Sequence, residues 1–245
     1  TLAVAFRSDR RWPLVVAANR DERLGRPAEG WALRGDPGAP RFAAPRDAVA
    51  GGTWIGLSER GLFAAVTTFH APAAWYPARA RRSRGDRVGL ALAHPTAAAA
   101  RRALGPLAAG SFNPFHLVVA DGESAFLWRY DGESAAFDAL GPGLHVVTER
   151  SPDGRCPRGE LVRARWPLDA SPARLRELLS VHAAAAPGGA ETCIHAEPVY
   201  GTRSSTVLRV PEDPGASELL ASDGPPCTAP LEDLSRLVAA LFRSA

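Results

Sequence analysis

A hairpin predicted at the amino end constrains the fold of this chain most. Residues 2–6 are apolar, residues 8–11 are turn-like, and residues 12–18 are apolar again. A turn centred near residue 10 pairs residues whose numbers sum to about 20, because antiparallel strands count one residue forward against one back. Thr1 is then expected opposite Asn19, where the apolar run gives way to polar side chains.

A chain end beside such side chains can carry acyl-transfer chemistry. A free α-amine titrates at about pH 8, so at neutral pH a useful fraction of it can act as a base. A terminal Thr, Ser or Cys therefore holds nucleophile and base within one residue. Within the stretch Asn19-Arg20-Asp21-Glu22, Asp21 could orient the ammonium group. Arg20 could bias the pKa of the amine or hold an anionic group of a substrate. The alternative interpretation is a solvated strand end without a role in chemistry.

Three stretches, in this order, resemble the NRDE proteins, a group that includes the Transport and Golgi organisation 2 family. The stretches are Asn19-Arg20-Asp21-Glu22, Gly51-Gly52-Thr53-Trp54-Ile55-Gly56 and Tyr200-Gly201-Thr202-Arg203-Ser204-Ser205-Thr206-Val207. The resemblance implies an α+β N-terminal-nucleophile (Ntn) hydrolase fold, a four-layer αββα sandwich of two antiparallel sheets. It also implies distant similarity to choloylglycine hydrolases and penicillin V acylases. We expect one domain over residues 1–245.

The resemblance also assigns candidate site residues. Family members typically begin Met-Cys, with the Cys as nucleophile, whereas this sequence begins at Thr1 and contains no Met. Either a Cys precedes Thr1 in the natural protein, or Thr1 carries the chemistry itself. The expected catalytic residues are Thr1, Asn19, Asp21 and Arg203, and the expected substrate-binding residues are Arg20, Thr53, Trp54, Thr68 and Glu149.

Two positions depart from the related acylases and leave two functions open. Those enzymes carry Asn where this chain has Thr68 and Glu149. An Asn amide donates to a developing oxyanion, whereas a carboxylate repels it, and losing one donor typically costs about 10²–10³ in rate. Asn19, Asp21 and Arg203 favour an amidase or acylase acting on a small-molecule C–N bond. The two departures favour a non-catalytic protein that binds or traffics haem or an acyl-lipid.

Periodicity and turn residues predict the remaining elements. We expect a hairpin over residues 52–68, a three-stranded meander over 115–140 and a short strand over 143–148. A long strand is expected over 200–210, in which alternation places Arg203 and Ser205 on one face. The segment Leu24 to Asp47 is rich in Pro, Gly, Arg and Ala and is interpreted as a long ordered loop. The predicted helices cover residues 86–93, 96–104, 158–165, 171–182 and 231–242.

Composition excludes several classes of protein. No window approaches 18 apolar residues, so we expect no transmembrane span, and the first residues are too short and β-like for a signal peptide. The net charge of +3 is modest, and no reading element for nucleic acid is recognised. We therefore expect a cytoplasmic bacterial protein that acts on a small molecule, without a cofactor and without nucleic-acid partners.

The cysteines and histidines predict no metal site. Cys156, Cys193 and Cys227 are odd in number and lack C-x-x-C spacing, and the six histidines are scattered. Cys193 and His195 would share one face of a strand as a thiol–imidazole pair. We favour the simpler interpretation, a packed Cys beside a partly exposed His.

Overall fold

The computed structural model describes residues 1–35, 38–70, 81–105, 107–186, 188–196 and 198–243. The strands are β1 (Leu2–Phe6), β2 (Leu14–Arg23), β3 (Ala28–Arg34), β4 (Phe42–Asp47), β5 (Ile55–Ser58), β6 (Phe63–Thr68), β7 (Phe115–Ala120), β8 (Ala125–Tyr130), β9 (Ala135–Ala139), β10 (Gly143–Val147), β11 (His195–Ala196), β12 (Tyr200–Val210), β13 (Glu218–Asp223) and β14 (Glu232–Asp233). The helices are α1 (Gly85–Leu92), α2 (Ala97–Leu104), α3 (Pro157–Arg165), α4 (Pro172–Leu179) and α5 (Ser235–Arg243). The chain divides into two compact units, Thr1–Arg26 with Pro142–Val238 and Pro27–Gly141 with Ala239–Ala245.

The first unit contains an antiparallel sheet in the order β10-β1-β2-β12-β13-β14, with β11 paired to the start of β12. The predicted register of the amino-terminal hairpin is confirmed, since Val4 pairs with Val16. Helices α3 and α4 supply Val162, Leu175 and Leu178 to a buried apolar cluster with residues of the sheet. Burying each such side chain stabilises the fold by about 1.5–3 kcal/mol, so β1 and β2 are firmly held.

The second unit contains a seven-stranded antiparallel meander in the order β3 to β9. Its core lies under α1 and α2 and includes Phe115 and Trp128, whose ring centroids are 5.3 Å apart and nearly perpendicular. Thr96 caps α2 by accepting a hydrogen bond from the Ala99 amide at 3.1 Å. A Cβ atom on Gly52 would approach the Gly85 backbone to 2.9 Å, so the absence of a side chain at Gly52 permits close packing at the start of α1.

The predicted α+β class with two antiparallel sheets is confirmed, but one loop prediction was wrong. The segment Leu24 to Asp47 contains β3 and β4, which pair with each other and extend the meander through β5. Small and charged side chains hide the alternation that a strand normally displays, and pairing to neighbouring strands overrides weak local propensity. Within the described part of the chain, no helix is both long and apolar enough to cross a membrane.

Candidate functional site

Thr1 lies inside the first unit's sheet, directly before β1 begins. The strand β1 runs between β10 and β2, and its first residue, Leu2, pairs with Val147 on β10 and with Ala18 on β2. Thr1 is 8% exposed, its nitrogen donates to the Asn19 carbonyl at 3.2 Å, and its carbonyl accepts from the Asn19 amide at 3.0 Å. The Thr1 nitrogen is therefore fixed at the point where the polar part of β2 begins.

The Asp21 carboxylate forms an ion pair with the Thr1 nitrogen. Its Oδ2 lies 3.5 Å from the Thr1 nitrogen, and its side chain is 11% exposed. Its Oδ1 accepts a hydrogen bond from the Thr202 hydroxyl at 2.6 Å. Thr202 on β12 thus holds the carboxylate in place, a role that the sequence analysis did not assign although Thr202 lies within one of its motifs.

The Asn19 side chain is committed to the interior of the fold. Its amide donates to the Leu179 carbonyl at 2.9 Å and to the Thr192 carbonyl at 2.8 Å. Its oxygen accepts from the Ser205 hydroxyl. The side chain consequently ties β2 to the end of α4 and to β12, and the contact of Asn19 with the amino end runs through its main chain.

Arg203 lies at an irregularity in β12. The pairing with β2 shifts register between Thr202 and Ser204, so Arg203 has no paired residue on β2. This bulge interrupts the alternation from which the sequence analysis placed Arg203 and Ser205 on one face, because an extra residue breaks the period of two. Arg203 also lines a pocket of about 80 Å³ with Thr202 and His195.

Two buried polar atoms at this end of the sheet lack a partner within the described residues. They are the Thr1 hydroxyl oxygen and the Nε of Arg203. Buried polar atoms are nearly always hydrogen-bonded, so an unpaired one calls for an explanation such as a ligand. A free hydroxyl and a guanidinium nitrogen are groups that a polar substrate can satisfy.

Glu149 follows β10 and carries a charge partner that the sequence did not reveal. The Arg158 Nη1 at the start of α3 donates to its carboxylate at 2.8 Å. Burial raises the pKa of the Glu149 carboxyl, but Arg158 and the amino group at Thr1 together lower it below its ordinary value. Glu149 is therefore an ionised carboxylate, stabilised mainly by the positive charge of Arg158.

The remaining predicted site residues have varied surroundings. Arg20 pairs with Ser204 across β2 and β12, and its guanidinium lies 4.0 Å from a Glu22 oxygen. Thr53, Trp54 and Thr68 belong to the second unit. There the Thr53 hydroxyl donates to the Ile55 carbonyl at 2.9 Å, and the Trp54 carbonyl accepts from the Val66 amide at 2.8 Å. The Thr68 hydroxyl accepts from Arg84 at 3.0 Å.

Cys193 and His195 lie side by side, but the Cys193 thiol is not activated as a nucleophile. Its sulfur lies 3.4 Å from the His195 Nε2. Burial and the neighbouring Cys227 raise the pKa of Cys193 to about 12. The nucleophile in thiol chemistry is the thiolate, so this protonated thiol is a poor candidate for covalent catalysis.

A larger surface pocket, of about 540 Å³, lies elsewhere in the first unit. It is lined by residues of α3, α4 and their connection, among them Arg165, Leu168 and Glu177. None of the predicted site residues lines it. This pocket therefore does not support a substrate site at Thr1.

Comparisons with solved structures place the fold among acylases. An N-acylethanolamine-hydrolyzing acid amidase ortholog from Caenorhabditis elegans is 14% identical, with a TM-score of 0.60 over 84% of this chain and 91% of that one. A penicillin V acylase from Agrobacterium tumefaciens is 15% identical, with a TM-score of 0.52 over 100% and 89%. A conjugated bile acid hydrolase variant from Clostridium perfringens is 9% identical, with a TM-score of 0.53 over 96% and 93%. At these identities the similarity shows a shared Ntn-hydrolase fold.

The sequence comparisons identify the family. No curated protein matches the chain significantly. The family model described as Transport and Golgi organisation 2 matches residues 1–167, well over half of the chain. The protein therefore belongs to the Transport and Golgi organisation 2 family.

Proposed function

We propose that this protein is an N-terminal-nucleophile amidase or acylase that hydrolyses a C–N bond of a small molecule. For the form that begins at Thr1, the observation that carries the proposal is the Asp21 carboxylate, 3.5 Å from the buried Thr1 nitrogen. A carboxylate in this position can orient the α-amine that accepts the proton of the nucleophile.

The nucleophile is the Thr1 hydroxyl, or the thiol of a Cys directly before Thr1. The nucleophile attacks the substrate carbonyl carbon and gives its proton to the α-amine, which later passes it to the leaving amine as the C–N bond breaks. Water then hydrolyses the acyl-enzyme. Arg203 and Arg20 supply positive charge for an anionic group of the substrate.

Strand register supports the alternative in which the nucleophile is a Cys directly before Thr1. Leu2 pairs with Ala18 on β2 and with Val147 on β10. A residue placed before Thr1 and continuing β1 would lie in register with Arg20 on one side and Glu149 on the other. Such a residue would lie at a charged end of the sheet, where Arg20 favours ionisation of a thiol and the Glu149 carboxylate opposes it.

A non-catalytic role in binding haem or an acyl-lipid is the second candidate function, and Glu149 favours it. The related acylases carry an amide donor at that position, whereas Glu149 here is an ionised carboxylate held by Arg158. A negative charge at an oxyanion site opposes the tetrahedral intermediate. Binding without chemistry has no such requirement.

Covalent labelling distinguishes the two functions. Two forms of the chain, one beginning at Thr1 and one with Cys directly before it, are treated with an acylating β-lactone and analysed by intact mass and peptide mapping. We expect one adduct, on the first residue, in at least one form. The same form should release amine from a panel that contains an N-acylethanolamine, penicillin V and a conjugated bile acid.

Matched variants control the labelling experiment. Thr1→Val in the first form, and Cys→Ala at the added position in the second, should abolish the adduct while leaving circular dichroism unchanged. Absence of labelling in both forms, together with saturable binding of haem or acyl-CoA, would contradict the hydrolase proposal and support the binding role.

A further inference from the structure

Four thiol and imidazole side chains from three segments of the sequence meet in the first unit. The set is His182, Cys193, His195 and Cys227, and one ligand atom from each lies within 4.8 Å of all the others. The measured distances are 3.7 Å between the two sulfurs, and 3.4 Å and 3.3 Å from the His195 Nε2 to Cys193 and Cys227. The rings of His182 and His195 have centroids 4.8 Å apart.

These distances match the edges of a tetrahedral zinc centre. With Zn–S bonds of about 2.3 Å and Zn–N bonds of about 2.0 Å, two sulfurs are separated by about 3.8 Å and a sulfur and a nitrogen by about 3.5 Å. The triangle formed by Cys193, Cys227 and His195 therefore provides three corners of the tetrahedron. Rotation of the exposed His182 ring can place one of its nitrogens at the fourth corner of the tetrahedron.

We propose that His182, Cys193, His195 and Cys227 bind one Zn²⁺ ion in a closed structural site. Two thiolates with two imidazoles form a donor set that suits tetrahedral zinc. As the two Zn–S bonds form, the Cys193 and Cys227 thiols release their protons to solvent. Neither Thr1 nor Asp21 is among the ligands, so the ion takes no direct part in the proposed hydrolase chemistry.

Bonds outside the cluster hold its segments together. The amides of Thr192 and Cys193 both donate to the Val181 carbonyl at 3.0 Å. The Thr192 hydroxyl donates to the Leu178 carbonyl at 2.6 Å. These contacts fix the segment at Cys193 against the end of α4 and against Val181, which directly precedes His182.

The third segment, which carries Cys227, is anchored in the same way. The Arg176 Nε on α4 donates to the Pro226 carbonyl at 2.9 Å, and its Nη2 donates to the Ala229 carbonyl at 3.3 Å. The ligands are thus presented by a preorganised scaffold, which lowers the ordering cost of binding an ion.

The site would support the residues around Asp21. The Ile194 amide donates to the Thr202 hydroxyl at 2.9 Å, and that hydroxyl donates to Asp21. An ion that fixes Cys193 and His195 also fixes Ile194 between them. This gives the zinc site a positioning role without contact to a substrate.

Cobalt and zinc titrations test the site. The full chain is reduced, stripped with a chelator and titrated with Co²⁺, followed by Zn²⁺. We expect the visible bands of tetrahedral cobalt and a near-ultraviolet thiolate charge-transfer band, saturating at one ion per chain and bleached by Zn²⁺. His182→Ala, Cys193→Ser, His195→Ala and Cys227→Ser should each weaken Co²⁺ binding by at least about 100-fold.

Cys156 provides the matched control, because it is a cysteine of the same unit outside the cluster. Cys156→Ser should retain wild-type cobalt spectra and stoichiometry. His182→Ala changes an exposed side chain, so it keeps the test valid if a cysteine variant fails to fold. The proposal is overturned if the reduced wild-type chain gives no tetrahedral bands, if Cys156→Ser loses them, or if the cysteines only form a Cys193–Cys227 disulfide.

Discussion

The side-chain amide of Asn19 forms all of its described hydrogen bonds within the interior of the first unit. Its partners are the Leu179 and Thr192 carbonyls and the Ser205 hydroxyl. The family signature therefore begins with a residue whose side chain assembles the site, while its main chain contacts Thr1. An amide fits here because it donates twice and accepts once, which neither Asp nor Leu can do.

Asn19→Ala should destabilise the protein by about 3 kcal/mol, because two buried carbonyls and one hydroxyl lose their partner. Urea unfolding followed by circular dichroism measures the change. Arg23→Ala, at the exposed end of the same strand, should change stability by less than about 0.5 kcal/mol. Equal losses in the two variants would contradict the structural role of Asn19.

Asp21→Asn should slow acylation of the first residue by about 100-fold without unfolding the protein. The amide oxygen can still accept from the Thr202 hydroxyl, so the change removes the charge beside the Thr1 nitrogen and little else. The rate of β-lactone labelling, followed by intact mass, measures the effect. Glu22→Gln is the control on the neighbouring residue and should label at the wild-type rate.

At the scale of elements, the hairpin β1–β2 could be predicted because its apolar runs and turn leave a single register that keeps both strands paired. The strands β3 and β4 could not, because their Ala, Gly, Pro and Arg residues carry no apolar alternation that would distinguish them from a loop. The bulge at Arg203 was also hidden, since it depends on how β2 meets β12.

The ion pair between Glu149 and Arg158 on α3 predicts a pH dependence. The pKa of Glu149 is lower in the folded protein than its ordinary value of 4.5. Its ion pair with Arg158 therefore contributes stability above about pH 4.5 that is lost as the pH falls through the folded-state pKa. Glu149→Gln should cost about 2 kcal/mol at pH 7 and progressively less at lower pH.

Chemical unfolding of the wild type and of Glu149→Gln across this pH range measures that difference. Glu177→Gln provides the matched control, because Glu177 pairs with Arg174 on the exposed surface of α4. Its effect should stay below about 1 kcal/mol at every pH. A Glu149→Gln cost that persists unchanged below the folded-state pKa would contradict the ion-pair explanation.

At the scale of the molecule, sequence spacing could not predict the cluster of His182, Cys193, His195 and Cys227. Zinc motifs are recognised by short spacing within one turn or hairpin, whereas Cys227 is 34 residues from Cys193 and follows β13. The Cys193–His195 pair was visible as a strand motif. Its partners depended on α4 ending before His182 and on Arg176 holding the turn at Cys227.

The expectation of one domain predicts a single cooperative unfolding transition for the whole chain. The first unit is assembled from residues 1–26 and 142–238, so its β1–β2 hairpin joins β10 and β12 only after the intervening 27–141 segment has been accommodated. Closing so long a connection costs less entropy once the 27–141 segment is itself folded, so folding of the second unit favours folding of the first. Cooperative folding of both units is therefore expected.

Site-specific fluorescence tests this expectation. Trp12 belongs to the core of the first unit and Trp128 to that of the second. Two variants, each retaining one of these residues and carrying Phe at the other tryptophans, are unfolded in urea and compared with far-ultraviolet circular dichroism. Coincident midpoints and slopes are expected for a single two-state transition. Separate midpoints for Trp12 and Trp128 would instead establish two independently folding domains.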